Sequence, residues 1–269
     1  MWHRSLLFIV IAFILNFPAL TTMINSFRKR VDIQNSPLGF FSFEPTLEHY
    51  QKIFEHPTFH FQDYLLNSLI LATSGTLIAL IVGFPASYAI ARYGYGRQTL
   101  LTLMSCVRAL PLIVFAVPIY LLFQLAGLLD SRLGLALIAC LINLPLVIFV
   151  LLAHFQELPS EIDEAARVFG ASTLQIILQI MLPLSGSALA AVGILSFINA
   201  WNEYLFGVFL TSKSATPISV GATFFATNLG VDWGVASAVL MLSVLPPLLL
   251  GLFSYRYIGR SLTAGAVKG

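Results

Sequence analysis

Two groups of residues in this chain combine types and spacing that suit chemistry, and a third comes close. Glu157, Glu161, Asp163 and Glu164 crowd four of the 12 carboxylates beside the run from Pro159 to Pro183, which also holds the helix breakers Gly170 and Pro183. Charge concentrated between two apolar stretches gives a soluble partner something to grip. Ser196, Asn199, Asn202, Glu203 and Phe206 recur at helical spacing inside an otherwise apolar run. Amides and a carboxylate placed there are suited to hydrogen-bonding hydroxyl groups. His49, His56 and His60 form the third group. A metal pair at i, i+4 needs His56 and His60 on one helix face, and Pro57 works against that geometry, so they read as solvated loop histidines.

Several classes drop out on chemical grounds. There is no GxxxxGK[ST] pattern to cradle nucleotide phosphates. No nucleophile sits beside a base in a pattern that resembles a catalytic site, so no catalytic and no metal-binding residue is assigned. Cys106 and Cys140 lie in apolar runs and read as small hydrophobes. Scattered cations and a net charge of +2 give no sign of a nucleic-acid surface.

The positioning elements follow from composition. The 269 residues are 58% hydrophobic and 10% charged, against about a quarter charged in soluble domains. Most of the surface therefore faces something other than water. Runs near 5–26, 64–91, 99–126, 134–154, 185–210 and 237–258 are long and apolar enough to cross a bilayer. The expectation is an all-α polytopic membrane protein, one domain over 1–269, with six transmembrane helices. Arg4 ahead of the first run permits a signal peptide, but the run is long and no clean cleavage site follows, so it is read as a retained span.

Orientation is not settled by charge. Arg4, Arg92, Arg97, Arg167, Arg256, Arg260 and Lys268 fall on one side, and Arg28, Lys29, Arg30, Lys52, Arg132 and Lys213 on the other. Segment 27–63 reads as a compact extramembrane loop with a helix-like run from Thr46 to Phe54.

Within the loop at 155–184, Ser160 followed by Asp163 looks like a capping start, and Ile162, Ala165, Ala166 and Phe169 share one helical face. Asp163 and Arg167 stand at i, i+4 spacing. Gly170 permits a sharp turn, and Ser172 or Thr173 can cap a second helix. The expectation is a two-helix knob, with Ala165 and Ala166 leaving room for close approach.

The spacing Glu164-Ala165-Ala166, three residues, Gly170, nine residues, Ile180-Met181-Leu182-Pro183 resembles the EAA motif of binding-protein-dependent ABC importer permeases. Every defining position is matched, ahead of the penultimate span as in that family. The resemblance implies that this segment is the coupling helix docking on a cytoplasmic ATPase subunit. Glu164 would make a polar contact, Ala165 and Ala166 a close fit, and Gly170 the bend. It further implies cytoplasmic N- and C-termini and a multi-pass protein of the bacterial inner membrane. The implied partners are a second permease, two ATP-binding subunits that hold ATP and Mg, and an extracytoplasmic solute-binding protein.

Trp201-Asn202-Glu203-Tyr204 resembles the WNE-type signature of the carbohydrate importer permeases. Asn67-Ser68-Leu69, Tyr88-Ala89-Ile90-Ala91-Arg92 and the Gly265-Ala266-Val267-Lys268-Gly269 tail point to the smaller permease of maltose-type importers. On that reading Asn199, Asn202, Glu203, Trp201, Tyr204, Arg108 and Asn143 are candidates for the substrate path. The same polar stripe would equally pack against a partner permease, and Asn143 beside Pro145 equally marks a helix bend. A central Arg108 needs a carbonyl or carboxylate partner. A permease for a polyamine or phosphate would share the EAA loop without the WNE-type segment, and a secondary transporter would work without an ATPase.

Overall fold

The computed structural model describes residues 2–36, 39, 43–227 and 230–265, with only the helical backbone for 2–4 and 254–265. Residues 266–269 of the sequence tail lie outside the described residues. Helices dominate: α1 Trp2–Ser26, α2 Arg30–Asn35, α3 Glu48–Glu55, α4 Phe61–Tyr93, α5 Arg97–Ala109, α6 Ala116–Leu125, α7 Arg132–Glu157, α8 Glu161–Val168, α9 Thr173–Gln175, α10 Leu182–Leu184, α11 Gly186–Trp201, α12 Leu205–Leu210, α13 Ile218–Gly221 and α14 Trp233–Gly265. Strands β1 Ala226–Thr227 and β2 Gly230–Val231 pair antiparallel. Among the described residues, four helices are long and apolar enough to span a membrane, or up to six when each of two bent helix pairs, Arg97–Ala109 with Leu112–Leu125 and Thr173–Leu184 with Gly186–Trp201, counts as one span.

The chain divides into two compact units, Met1–Leu65 with Ile218–Pro246, and Leu66–Pro217 with Pro247–Gly269. In the first, the segment 27–63, expected as a compact loop with one helix-like run, carries α2 and α3. Arg28 is fully buried, donating to the carbonyls of Asp32 at 2.9 Å and Ser36 at 2.6 Å. A guanidinium with fixed donors organises the turn around it and satisfies carbonyls that water would otherwise take. His49 is buried as well, with Nε2 2.7 Å from the Arg28 carbonyl. The reading of His49 as solvated is therefore corrected: α3 is amphipathic and turns His49 and Ile53 inward. His56 Nδ1 accepts the Phe59 N–H at 3.1 Å, a turn contact rather than half of a metal pair.

In the second unit, α4 and α7 approach closely because both carry small residues. A Cβ on Gly75 would fall 2.4 Å from the Ala139 Cβ, and one on Gly83 2.5 Å from Val147 Cγ1. In lipid there is little hydrophobic drive between helices, so such close van der Waals contact is what holds them. The core beside this seam contains Ala79, Phe84, Tyr88, Val147, Leu151, Phe155, Ile176, Met181 and Val192.

Two expected spans are interrupted. The run 99–126 is bent by 103° between α5 and the helical segment from Leu112. Pro111 forces Leu110 into an extended conformation (φ −81°, ψ 139°), and α5 ends there. The run 185–210 breaks at Asn202–Tyr204. The Asn202 amide donates to the Ile198 carbonyl at 2.9 Å, and the Glu203 carboxylate accepts the Phe206 N–H at 2.8 Å. Side chains that bond their own backbone compete with the helix ladder, ending α11 and starting α12. From Ile176 to Met181 the backbone is a π-helix between α9 and α10.

Candidate functional site

The acidic segment forms the expected pair of short helices, but different bonds hold it. Ser160 is helical and makes no side-chain cap, so the capping start expected there is absent. The capping box lies one helix later. Ser172 Oγ accepts the Gln175 N–H, and Gln175 Oε1 accepts the Ser172 N–H. Gly170 has φ +84°, a left-handed value that glycine reaches freely, and the bend sits there.

The inward face of α8 also differs from the expected stripe. Ile162 and Ala166 pack toward the core and Asp163 is buried. Ala165 and Glu164 face outward, and Phe169 is 90% and Val168 84% exposed. Phe169 therefore leaves the apolar face assigned to it, because α8 ends before it and the chain turns at Gly170.

Asp163 does not pair with Arg167. Its Oδ2 lies 2.8 Å from Arg92 Nε, as an ion pair off the N–H axis, and its Oδ1 accepts the Tyr88 hydroxyl. Arg92 also donates Nη1 to the Leu158 carbonyl at 3.1 Å. Arg167 instead donates to the Tyr93 hydroxyl and lies 5.6 Å from the centre of that ring. The carboxyl-terminal end of α4 thus grips the segment through Tyr88, Arg92 and Tyr93. In the sequence, Tyr88 through Arg92 stand out only as a likeness to the permease family. The signal in the sequence is a cation and two phenols gathered at the end of an apolar span.

A family model described as "Binding-protein-dependent transport system inner membrane component" matches residues 75–264. The chain belongs to that family. The permease is 35% identical over 226 residues to the inner membrane ABC transporter permease protein YcjP of Escherichia coli, covering 83% of this chain and 81% of that one. It is 33% identical over 264 residues to the trehalose/maltose transport system permease protein MalG of Thermococcus litoralis, covering 97% and 94%. Among solved structures, a bacterial ABC transporter involved in the import of the acidic polysaccharide alginate has a chain of the same fold, with TM-score 0.81, 20% identity and 94% of each chain covered.

Elsewhere in the permease, three intramembrane candidates come together. Arg108 and Asn199 line a cavity of about 360 Å³ with Leu110, Leu146 and Leu195. Asn199 Nδ2 donates at 2.9 Å to Asn143 Oδ1, and Asn143 is fully buried. The other candidates stand apart from that cavity's lining. Trp201 is buried and stacked on Phe197 at 5.8 Å, Glu203 is engaged with the start of α12, and Asn202 and Tyr204 are exposed at the helix break.

Asp130 belongs to no motif visible in the sequence. It adopts φ +49°, and its carboxylate accepts the N–H groups of Ser212, Lys213, Ser214 and Ala215. Partial burial opposes ionisation there, but the backbone donors outweigh it and hold the carboxyl at about 2. Beside this clamp Asn67 Nδ2 donates to the Ser214 and Thr216 carbonyls, both at 3.0 Å, while its Oδ1 accepts Arg132 Nε at 2.8 Å.

Proposed function

We propose that this chain is one of two permease subunits forming the pore of an ATP-driven importer for a sugar or sugar-like solute. The family membership supports the transport role, and relatives named for trehalose/maltose and diacetylchitobiose transport support the solute class. The chain is non-catalytic: ATP and Mg belong to two partner ATPase subunits, and an extracytoplasmic binding protein delivers solute. The 155–184 segment and both termini lie in the cytoplasm of a bacterial cell.

One observation carries the mechanism: α8 is fastened to α4 on one face and presents Glu164, Ala165, Val168 and Phe169 on the other. An exposed Phe and Val beside a carboxylate is the composition of an interface centre with a polar contact. In this reading the ATPase covers that face, Gly170 gives the bend, and Ala166 keeps α8 close to its own core. Closure of the ATPase pair on ATP moves the segment, and α4 carries the motion into the pore. Arg108 and Asn199 then line the solute path with the buried Asn143 holding Asn199 in place, while Asn202, Glu203, Trp201 and Tyr204 shape it by breaking the fifth span.

The test is reconstitution of the full transporter in proteoliposomes. Uptake of a neutral sugar that requires internal ATP and the binding protein is the expected result. Uptake without ATP, or a permease that recovers no ATPase subunit, would overturn it.

A further inference from the structure

We infer that Asp163, outside the positions that define the EAA pattern, is a positioning residue that makes the coupling segment and the second span move as one body. The inference rests on the function proposed above.

The observations are geometric. Asp163 is 5% and Tyr88 1% exposed, although both stand close to a segment rich in surface charge. A carboxylate withdrawn from water is stabilised only by partners that replace its hydration, and one missing partner leaves a buried charge uncompensated. Asp163 has two such partners, Arg92 Nε at 2.8 Å and the Tyr88 hydroxyl, both on α4. Arg92 in turn holds the chain just ahead of α8 through the Leu158 carbonyl at 3.1 Å. The joint therefore spans the entry to α8 and its first turn.

The outward neighbour, Glu164, is exposed and free to meet a partner subunit. Adjacent acidic residues thus take opposite tasks: Glu164 faces outward, and Asp163 ties that contact to the membrane helix. Displacing α8 while α4 stays still would separate Asp163 from Arg92 and Tyr88 together. Because that separation strands an ion pair, the two helices are held to a common displacement. Without the joint, α8 keeps the apolar packing of Ile162 and Ala166, which has no fixed direction, and the contact of Arg167 with Tyr93, which is exposed to water and weaker for it.

The experiment uses the complete transporter, with partner permease, ATPase subunits and binding protein, in proteoliposomes. Asp163→Asn, Arg92→Gln and the double variant are compared with wild type. Solute uptake, ATP hydrolysis and ATPase co-purification are each measured. Asp163→Asn and Arg92→Gln should each retain the ATPase and hydrolyse ATP, while solute moved per ATP falls by about tenfold. The double variant should be no worse than either single one, since a joint is broken only once. Unchanged uptake per ATP in Asp163→Asn overturns the inference. So does an equal fall in hydrolysis and uptake, which is loss of docking or folding, and so do additive losses in the double variant. Failure of wild type to bind an ATPase would instead overturn the underlying permease mechanism, whatever the variants do.

Discussion

Asn199 donates its amide to Asn143 across 2.9 Å, joining α11 to α7 by a side-chain hydrogen bond next to the cavity that Arg108 lines. Pairs of this kind within membrane bundles contribute on the order of 0.6–2 kcal/mol. Asn143→Leu should lower the melting temperature of the purified permease by a few degrees and also reduce uptake. Asn199→Ala should cost at least as much stability, because it leaves the fully buried Asn143 oxygen unpaired, whereas Asn143→Leu leaves only the exposed Asn199. A loss of uptake in Asn199→Ala far beyond its loss of stability would assign the cavity face of Asn199 directly to the solute.

The outward face of α8 makes a different prediction. Phe169 and Val168 are 90% and 84% exposed, so Phe169→Asp and Val168→Asp should leave the melting temperature of the isolated permease unchanged. Both should abolish co-purification of the ATPase subunits, at a loss of at least about 2 kcal/mol for a central anchor. Full retention of the ATPase in Phe169→Asp would remove this face from the proposed interface.

At Gly170 the restriction is purely conformational, since φ is +84° and a Cβ there would meet nothing within 4 Å. Gly170→Ala should cost about 1 kcal/mol and reduce uptake moderately. Gly170→Pro, whose φ is fixed near −65°, should uncouple ATP hydrolysis from uptake while the protein still reaches the membrane. Normal transport by the proline variant would contradict the bend.

The sequence disclosed what is periodic or local. Apolar runs marked the long helices α1, α4, α7 and α14, and the Glu164, Gly170 and Pro183 spacing marked the short helices around the bend at Gly170. What it could not disclose were bonds between distant positions. Asp163 looked committed to Arg167 one turn away, whereas its hydroxyl partner Tyr88 lies 75 positions earlier. The burial of His49 and Arg28 escaped notice because a polar residue in a loop carries no period that signals its environment. The breaks at Pro111 and Asn202 had local signals, but long apolar runs outweighed them.

Asp130 predicts a pH response. Its carboxyl is held at about 2 by backbone N–H donors, against about 3.9 in an unfolded chain. A depressed folded value means that the stabilisation is complete above the unfolded value and is lost as pH falls toward the folded one. The melting temperature of wild type should therefore drop between about pH 5 and pH 2. Asp130→Asn should start lower at pH 7 and show a shallower drop over that window. Identical slopes in the two proteins would show that the clamp does not govern the response.

The π-helical stretch from Ile176 to Met181 has an evolutionary consequence. Such a turn holds one residue more than an α-turn, so it stores a single-residue insertion without breaking the helix. Deleting one residue there lets the stretch relax to α-helix with the segments on either side still in register, whereas the same deletion in a regular α-helix would rotate one side by roughly 100°. Lineages of this permease can therefore vary the length of the segment after Gly170 by one position within this turn and keep the orientation of the coupling segment.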